Sequence, residues 1–160
     1  MKDISTTINA LDAEGEVGPR EAIRVLARIG RPALKPLLEA AKSPRIRLRR
    51  WAMEALAEIG GPGVKEAIQK GTRDSAMSVR YHALQALLKI QHPKAVPILT
   101  RLLKDPSGGV RINAVDGLAR LGSKRAVPAL RKCLKDSKDY VRRQAKIALM
   151  ALDNRSAARR

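Results

Sequence analysis

Phenylalanine is absent from this 160-residue chain, and Trp51, Tyr81 and Tyr140 are its only aromatic residues. A protein that grips single-stranded nucleic acid by stacking bases needs more flat side chains than that, so base stacking is disfavoured. Cysteine occurs once, at Cys133, and histidine twice, at His82 and His92. One thiol cannot close an internal disulfide, and no Cys or His neighbours it at zinc-ligand spacing, so a reducing compartment and no metal are expected. No apolar run is long enough for a membrane span, and the start MKDISTTINALD lacks the apolar stretch of a secretory signal, which points to a cytoplasmic protein. The motifs GxxxxGK[ST], GxSxG and HExxH are missing, and with them the common phosphate-loop, hydrolase and metalloprotease signatures. The reading is of a chain that is not an enzyme and carries no cofactor. Acidic residues are short as well: 15 Asp and Glu face 33 Lys and Arg, a net charge of +18.

What is present is repetition. Leu48-Arg49, Val79-Arg80, Val110-Arg111 and Val141-Arg142 follow one another at 31-residue intervals, trailed by Ala52, Ala83, Ala114 and Ala145 and by Leu56, Leu87, Leu118 and Leu149. Ala22 and Leu26 mark an earlier copy at an offset of 30. Pro36, Pro97 and Pro128 are read as one aligned set, and Leu38, Ile68, Leu99 and Leu130 as one apolar position. Within a unit, Val79, Ala83, Ala86, Leu87 and Ile90 have the spacing of a helix stripe, and Val96, Leu99, Leu102 and Leu103 form a second. Glycine at Gly30, Gly60 and Gly122 falls between the two patterns as a helix stop, and Gly60-Gly61-Pro62-Gly63 is read as such a turn, not a phosphate cradle. The fold class is all-α, an array of helical hairpins that bury their apolar faces by stacking on their neighbours.

The pattern D-x5-R-x2-A-x3-L, with a later A-V-P, resembles the HEAT-repeat family, in particular the short bacterial and archaeal HEAT-like repeats also found in phycobilin lyases. It is carried by Asp74/Arg80/Ala83/Leu87, Asp105/Arg111/Ala114/Leu118 with Ala95-Val96-Pro97, and Asp136/Arg142/Ala145/Leu149 with Ala126-Val127-Pro128. The second unit departs from it at Ser43 and Lys65-Glu66. The resemblance implies a right-handed α-solenoid of the HEAT and armadillo type with four to five repeats of about 31 residues. The expected organisation is a capping helix over 1–18, repeats over 19–43, 44–75, 76–106, 107–137 and 138–152, and a basic tail over 153–160. It also implies that Asp74, Arg80, Asp105, Arg111, Asp136 and Arg142 form a structural ladder of ion pairs and caps, and that the second helix of each repeat lines the concave face.

The remaining charge is unevenly placed. Residues 1–30 hold 4 basic and 5 acidic groups, whereas residues 123–160 hold 12 and 3. On the second helices Lys70, Arg101 and Lys132 are equivalent, as are Arg73, Lys104 and Lys135. At 100° per residue, Arg101 lies about 200° and Lys104 about 140° from Leu99, so both face away from the core. Beside them Glu39, Gln69, Thr100 and Arg131 run from negative to positive. The expected site is a ribbon of Lys70, Arg73, Arg101, Lys104, Arg131, Lys132 and Lys135. The first helices carry mixed signs at Glu54, Gln85, Asp116 and Glu58, Lys89, Arg120 and read as ordinary solvated surface. Arg45, Arg47 and Arg50 make a secondary cluster able to take phosphate, and Arg155, Arg159 and Arg160 a tail adding non-specific attraction. His82 shares its place with Trp51, Asn113 and Gln144 and reads as a polar boundary residue, and Cys133 as a small buried hydrophobe.

These features predict a monomeric, non-catalytic binding module for a polyanion, foremost nucleic acid (duplex DNA or structured RNA) held through its phosphates. The alternative is a protein scaffold for an acidic partner. HEAT-like lyases and DNA glycosylases remain minor alternatives, with no matching catalytic residue in this chain.

Overall fold

The computed structural model describes residues 3–157. All its regular elements are helical. Helix α1 (Ile4–Asn9) and a 3-10 turn (Ala10–Asp12) precede α2 (Val17–Ile29), a 3-10 turn (Arg31–Ala33) and α3 (Leu34–Ala40). Next come α4 (Ile46–Ile59), α5 (Val64–Gly71), α6 (Met77–Lys89), α7 (Ala95–Leu102), α8 (Gly108–Leu121), a 3-10 turn (Lys124–Ala126), α9 (Val127–Cys133) and α10 (Asp139–Ala157). A longer first helix thus alternates with a shorter second one, and the chain is an all-α repeat of the solenoid class. Contacts divide it into two compact units, the first ending at His92 and the second beginning at Pro93.

In the first unit α4 and α6 press together the residues that the period singles out. Leu48, Ala52 and Leu56 meet Val79, Ala83 and Leu87, none more than 3% exposed. The small alanine in the middle of each stripe lets the helices approach, and the leucines and valines bury most of the apolar area, each about 1.5–3 kcal/mol of transfer free energy. In the second unit α8 and α10 repeat the arrangement with Val110, Ala114 and Leu118 against Val141, Ala145 and Ala148. Leu149 is only half-buried. Gly71, closing α5, has its Cα side filled by Met53 and Ala83, so a methyl group there would lie 2.5 Å from the Met53 sulfur.

Second-helix burial corrects the register. Leu37, Ile68, Leu99 and Leu130 are each 0% exposed and follow at 31 residues throughout, as do the buried Ala33, Val64, Ala95 and Ala126. Leu38, expected in that place, is half-buried, and the place of Pro97 and Pro128 is held in the earlier repeats by Lys35 and Glu66 instead of Pro36. The cause is the turn after α4. Gly60, Gly61 and Gly63 all take positive φ (66°, 108° and 80°), a path open to glycine, and the turn holds one residue more than the Gly30–Pro32 turn after α2. First helices α2 and α4 are therefore 30 apart and their second helices 31. In the corrected register Glu39 precedes Lys70, Arg101 and Lys132, and Lys42 precedes Arg73, Lys104 and Lys135.

Candidate binding surface

Arginines at the head of each first helix are consumed internally. Arg49 Nε and Nη2 donate to the two carboxylate oxygens of Asp74 at 2.8 and 2.9 Å, while its Nη1 donates to the carbonyls of Ser43 and Pro44. Arg111 does the same in the second unit, reaching Asp136 at 2.7 and 2.8 Å and the carbonyls of Asp105 and Pro106. Each aspartate also accepts from a backbone N–H two residues on, Asp74 from Ala76 and Asp136 from Lys138, both at 2.9 Å. The six-residue spacing therefore joins Arg111 to the Asp105 carbonyl, whereas its ion-pair partner lies 25 residues ahead in the next hairpin. Arg80 and Arg142 reach back in the same way, Arg80 Nη1 to the carbonyls of Asp74 and Ser75 and Arg142 Nη1 to that of Asp136. Asp105 is buried, its carboxylate taking the Ser107 N–H at 2.9 Å.

Electrostatics follow from that geometry. The Arg111 guanidinium and the Lys138 N–H hold the Asp136 carboxyl below the usual range against the opposing effect of burial. At Asp74 burial is the largest influence and pushes the other way, but the Arg49 fork and the Ala76 N–H together prevail and its carboxyl also titrates low. Their arginines are pushed up in turn, each by the hydrogen bond to its aspartate.

First-helix surface charge is largely paired off. In the first unit Lys89 on α6 bonds Glu58 on α4, and His82 Nδ1 lies 3.6 Å from Glu54, whose carboxyl that contact lowers. His82 also meets the Trp51 and Tyr81 rings edge-on, at 5.2 and 5.4 Å between centroids. The secondary cluster is partly spent: Arg45 Nη1 pairs with the Asp12 carboxylate at 3.0 Å, Arg47 Nη1 donates to the Asp12 carbonyl at 3.0 Å, and Arg50 lies over the Trp51 ring at 4.6 Å. Arg45 and Arg47 thereby tie the start of α4 to the segment before α2, whereas Arg50 stays on its own helix. Arg159 and Arg160 lie outside the described residues.

All seven of Lys70, Arg73, Arg101, Lys104, Arg131, Lys132 and Lys135 are exposed; Lys70, Arg101, Arg131 and Lys132 lie on second helices, whereas Arg73, Lys104 and Lys135 stand in the turns two residues past the ends of α5, α7 and α9. In the first unit a groove of about 930 Å³ between α3 and α5 brings Lys70 and Arg73 together with Lys35 and Lys42, above Leu38, Ala41 and Ala67. Two of its charges are already matched, Lys42 by Glu39 at 2.8 Å and Arg49 by Asp74, and Glu66 offsets one more. In the second unit a groove of about 360 Å³ between α7 and α9 is lined by Lys104, Arg125 and Lys132 around Leu103, Pro128, Ala129 and Cys133. Its one carboxylate, Asp136, belongs to the Arg111 fork. Arg101, Arg131 and Lys135 stand outside the lining of these grooves. Lys70, Arg73, Lys104, Arg125 and Lys132 make no ion pair among the described residues.

Three contributors escape sequence reasoning. Lys42 is found once the register is set by Leu37, Lys35 follows from the same shift, and Arg125 sits in the turn before α9, where helix periodicity gives no signal. Cys133 is buried, its Sγ donating to the Ala129 carbonyl, and desolvation pushes the thiol up, away from thiolate chemistry. Among the described residues no group of three His, Cys, Asp or Glu side chains could hold a metal, and no helix is long and apolar enough to cross a membrane.

Comparison with known proteins places this geometry. The family model for HEAT repeats matches residues 4–87 and 68–151. A chain of the complex of CpcE and CpcF of phycocyanin lyase from Nostoc sp. PCC7120 is similar with TM-score 0.75 and 22% identity, covering 91% of this chain and 96% of that one. A designed armadillo repeat protein in complex with the peptide (KR)4 aligns with TM-score 0.63 and 23% identity over 93% of this chain and 81% of its own. A computationally designed armadillo repeat protein for modular peptide recognition gives 0.61 and 22% over 92% and 81%. At these identities the likeness is one of fold. No curated protein matches the chain. With the 31-residue hairpin, the arginine forks and the family match covering most of its length, the chain belongs to the HEAT-repeat family.

Proposed function

We propose that this chain is a non-catalytic scaffold that receives an acidic polypeptide segment along its second helices. The observation that carries this reading is the lining of the grooves. Lys70 and Arg73 in one unit and Lys104, Arg125 and Lys132 in the other stand without acidic partners over floors of Leu, Ala and Pro side chains. Apolar floors give aliphatic side chains somewhere to go, and the rim cations answer carboxylates between them, the usual division of labour in peptide recognition. Two of the fold neighbours hold protein partners, CpcF with CpcE and the peptide (KR)4 with the designed armadillo protein. The grooves of this chain carry the sign that suits an acidic sequence. A second reading, nucleic acid held through phosphates, draws on Arg101, Arg131 and Lys135, which project outside the groove linings as contacts to a duplex backbone would.

Fluorescence anisotropy separates the two. A labelled peptide of alternating Leu and Glu, a duplex DNA of equal charge and a structured RNA are each titrated into the protein at several salt concentrations. The peptide is expected to bind more tightly at physiological salt and to lose affinity to Lys104→Glu/Lys132→Glu. Tighter binding of the duplex, with a salt slope of roughly −0.9 per phosphate contact, would overturn the proposal in favour of nucleic acid.

A further inference from the structure

Each unit builds its groove on the same repeat positions, two 31-residue periods apart in the sequence. Lys42, Lys70 and Asp74 line the first groove where Lys104, Lys132 and Asp136 line the second. Other positions differ in charge. Arg125 stands in the place of Gly63 and Pro128 in that of Glu66, so the second groove gains a cation and loses a carboxylate. A further acid is missing beside it. Lys42 is neutralised at 2.8 Å by Glu39, three residues before it, whereas the residue three before Lys104 is Arg101.

Size changes along with charge. Leu103 replaces Ala41, Cys133 replaces Gly71 and Arg125 replaces Gly63, and the cavity falls from about 930 to about 360 Å³. Lys104, Arg125 and Lys132 thus share a small opening, and none of them makes an ion pair among the described residues. Asp136, the one acid in the lining, already accepts from Arg111 with both carboxylate oxygens, at 2.7 and 2.8 Å. Thr100 spends its hydroxyl proton on the Val96 carbonyl at 2.8 Å. The side-chain donors left to a ligand are the three cations. A single carboxylate answers one of them, whereas a phosphate monoester brings a charge of about −2 near neutral pH and three acceptor oxygens, enough for all three. In the first unit the same dianion would meet Glu39 and Glu66.

We propose that the groove of the second unit is a phosphate pocket that selects a phosphorylated residue of the acidic polypeptide, while the groove of the first unit takes unmodified acidic and apolar residues. This assignment rests on the grooves binding an acidic peptide and adds the residue that one of them prefers.

The test uses the full chain and two labelled peptides of alternating Leu and Glu that differ at one central position, phosphoserine in one and Glu in the other. Anisotropy titrations at physiological salt read the ratio of the two affinities. The phosphopeptide is expected to bind roughly tenfold more tightly than the Glu peptide. That ratio should fall to about one in Arg125→Ala/Pro128→Glu, which gives the second groove the charges of the first at these two positions. It should stay near tenfold in Lys70→Ala/Arg73→Ala, which weakens both peptides alike. Arg125→Ala alone, at an exposed turn position, should lower the ratio part of the way, and circular dichroism melts check that each variant folds. Because the second ionisation of phosphate lies near pH 6, the ratio should also climb between about pH 5.5 and about pH 7.5, a range in which Glu stays ionised. A ratio near one in the wild type, or an equal fall of the ratio in the two double variants, would overturn the phosphate pocket and leave the peptide reading standing. Tighter binding of a duplex DNA of equal charge than of either peptide would overturn both.

Discussion

Arg111 and Lys132 belong to the same unit and carry the same charge, but they are put to opposite uses. Arg111 is almost fully enclosed and gives two nitrogens to Asp136 and a third to the carbonyls of Asp105 and Pro106. Lys132 stands exposed on the rim of a groove whose one carboxylate, Asp136, is already held by Arg111. The contrast divides a net charge of +18 into a part that fastens one hairpin to the next and a part left for something else. It also shows why composition misleads: arginines with a planar fork hold the scaffold, and the groove rims depend mainly on lysines and arginines that touch nothing acidic.

The comparison breaks most visibly at the forks. Arg111→Ala strands the largely enclosed Asp136 carboxylate and is expected to cost about 2 kcal/mol by thermal or urea unfolding. Because the folded Asp136 pKa lies below its unfolded value of about 3.9, the pair contributes fully above that pH and is lost as pH falls through the folded value. Wild type and Arg111→Ala should therefore differ in melting temperature near neutrality and converge as the pH drops well below about 4. A difference that stayed constant into acid would deny the carboxylate its role. Packing at the hairpin junction comes next. Gly71→Ala pushes a methyl into Met53 and Ala83 and is expected to cost about 1 kcal/mol, with larger side chains costing more. Lys89→Ala, which removes only the exposed partner of Glu58, should change stability by less than about 0.5 kcal/mol. Lys104→Glu/Lys132→Glu should likewise leave unfolding nearly unchanged, within about 0.5 kcal/mol, while weakening peptide binding roughly a hundredfold.

Much of the scaffold is legible in the sequence because a buried position must be apolar in every copy. The series Ala52, Ala83, Ala114 and Ala145 announces itself, and all four are buried. Register in the first hairpin is not legible, since Leu37 and Leu38 are adjacent and equally apolar, and the prolines offer a false alignment that only the longer Gly60–Gly63 turn exposes. The ion-pair partner of Arg49 is hidden for a related reason: Asp74 lies 25 residues away, brought close by a hairpin whose geometry the six-residue motif does not encode. Of the expected ribbon, exposure is readable from helix angle at Lys70, Arg101 and Lys132, whereas Arg73, Lys104 and Lys135 are exposed because they lie in the turns that follow the helices. Grouping was not, because grooves depend on neighbours such as Lys35 and Arg125 contributed by other turns. Likewise nothing near Arg45 and Arg47 in the sequence signals that Asp12 engages both.

The central claim is that placement of charge, and not its total, makes the binding surface. Two double variants test it directly, because each changes the net charge by the same amount. Lys104→Glu/Lys132→Glu alters a groove rim, and Lys89→Glu/Arg120→Glu alters first helices. The acidic Leu-Glu peptide is titrated against both at physiological salt. A loss of roughly a hundredfold in the groove variant with less than about threefold in the other is predicted from where the unpaired cations sit. Equal losses in the two would show that net charge alone attracts the peptide and would contradict the account.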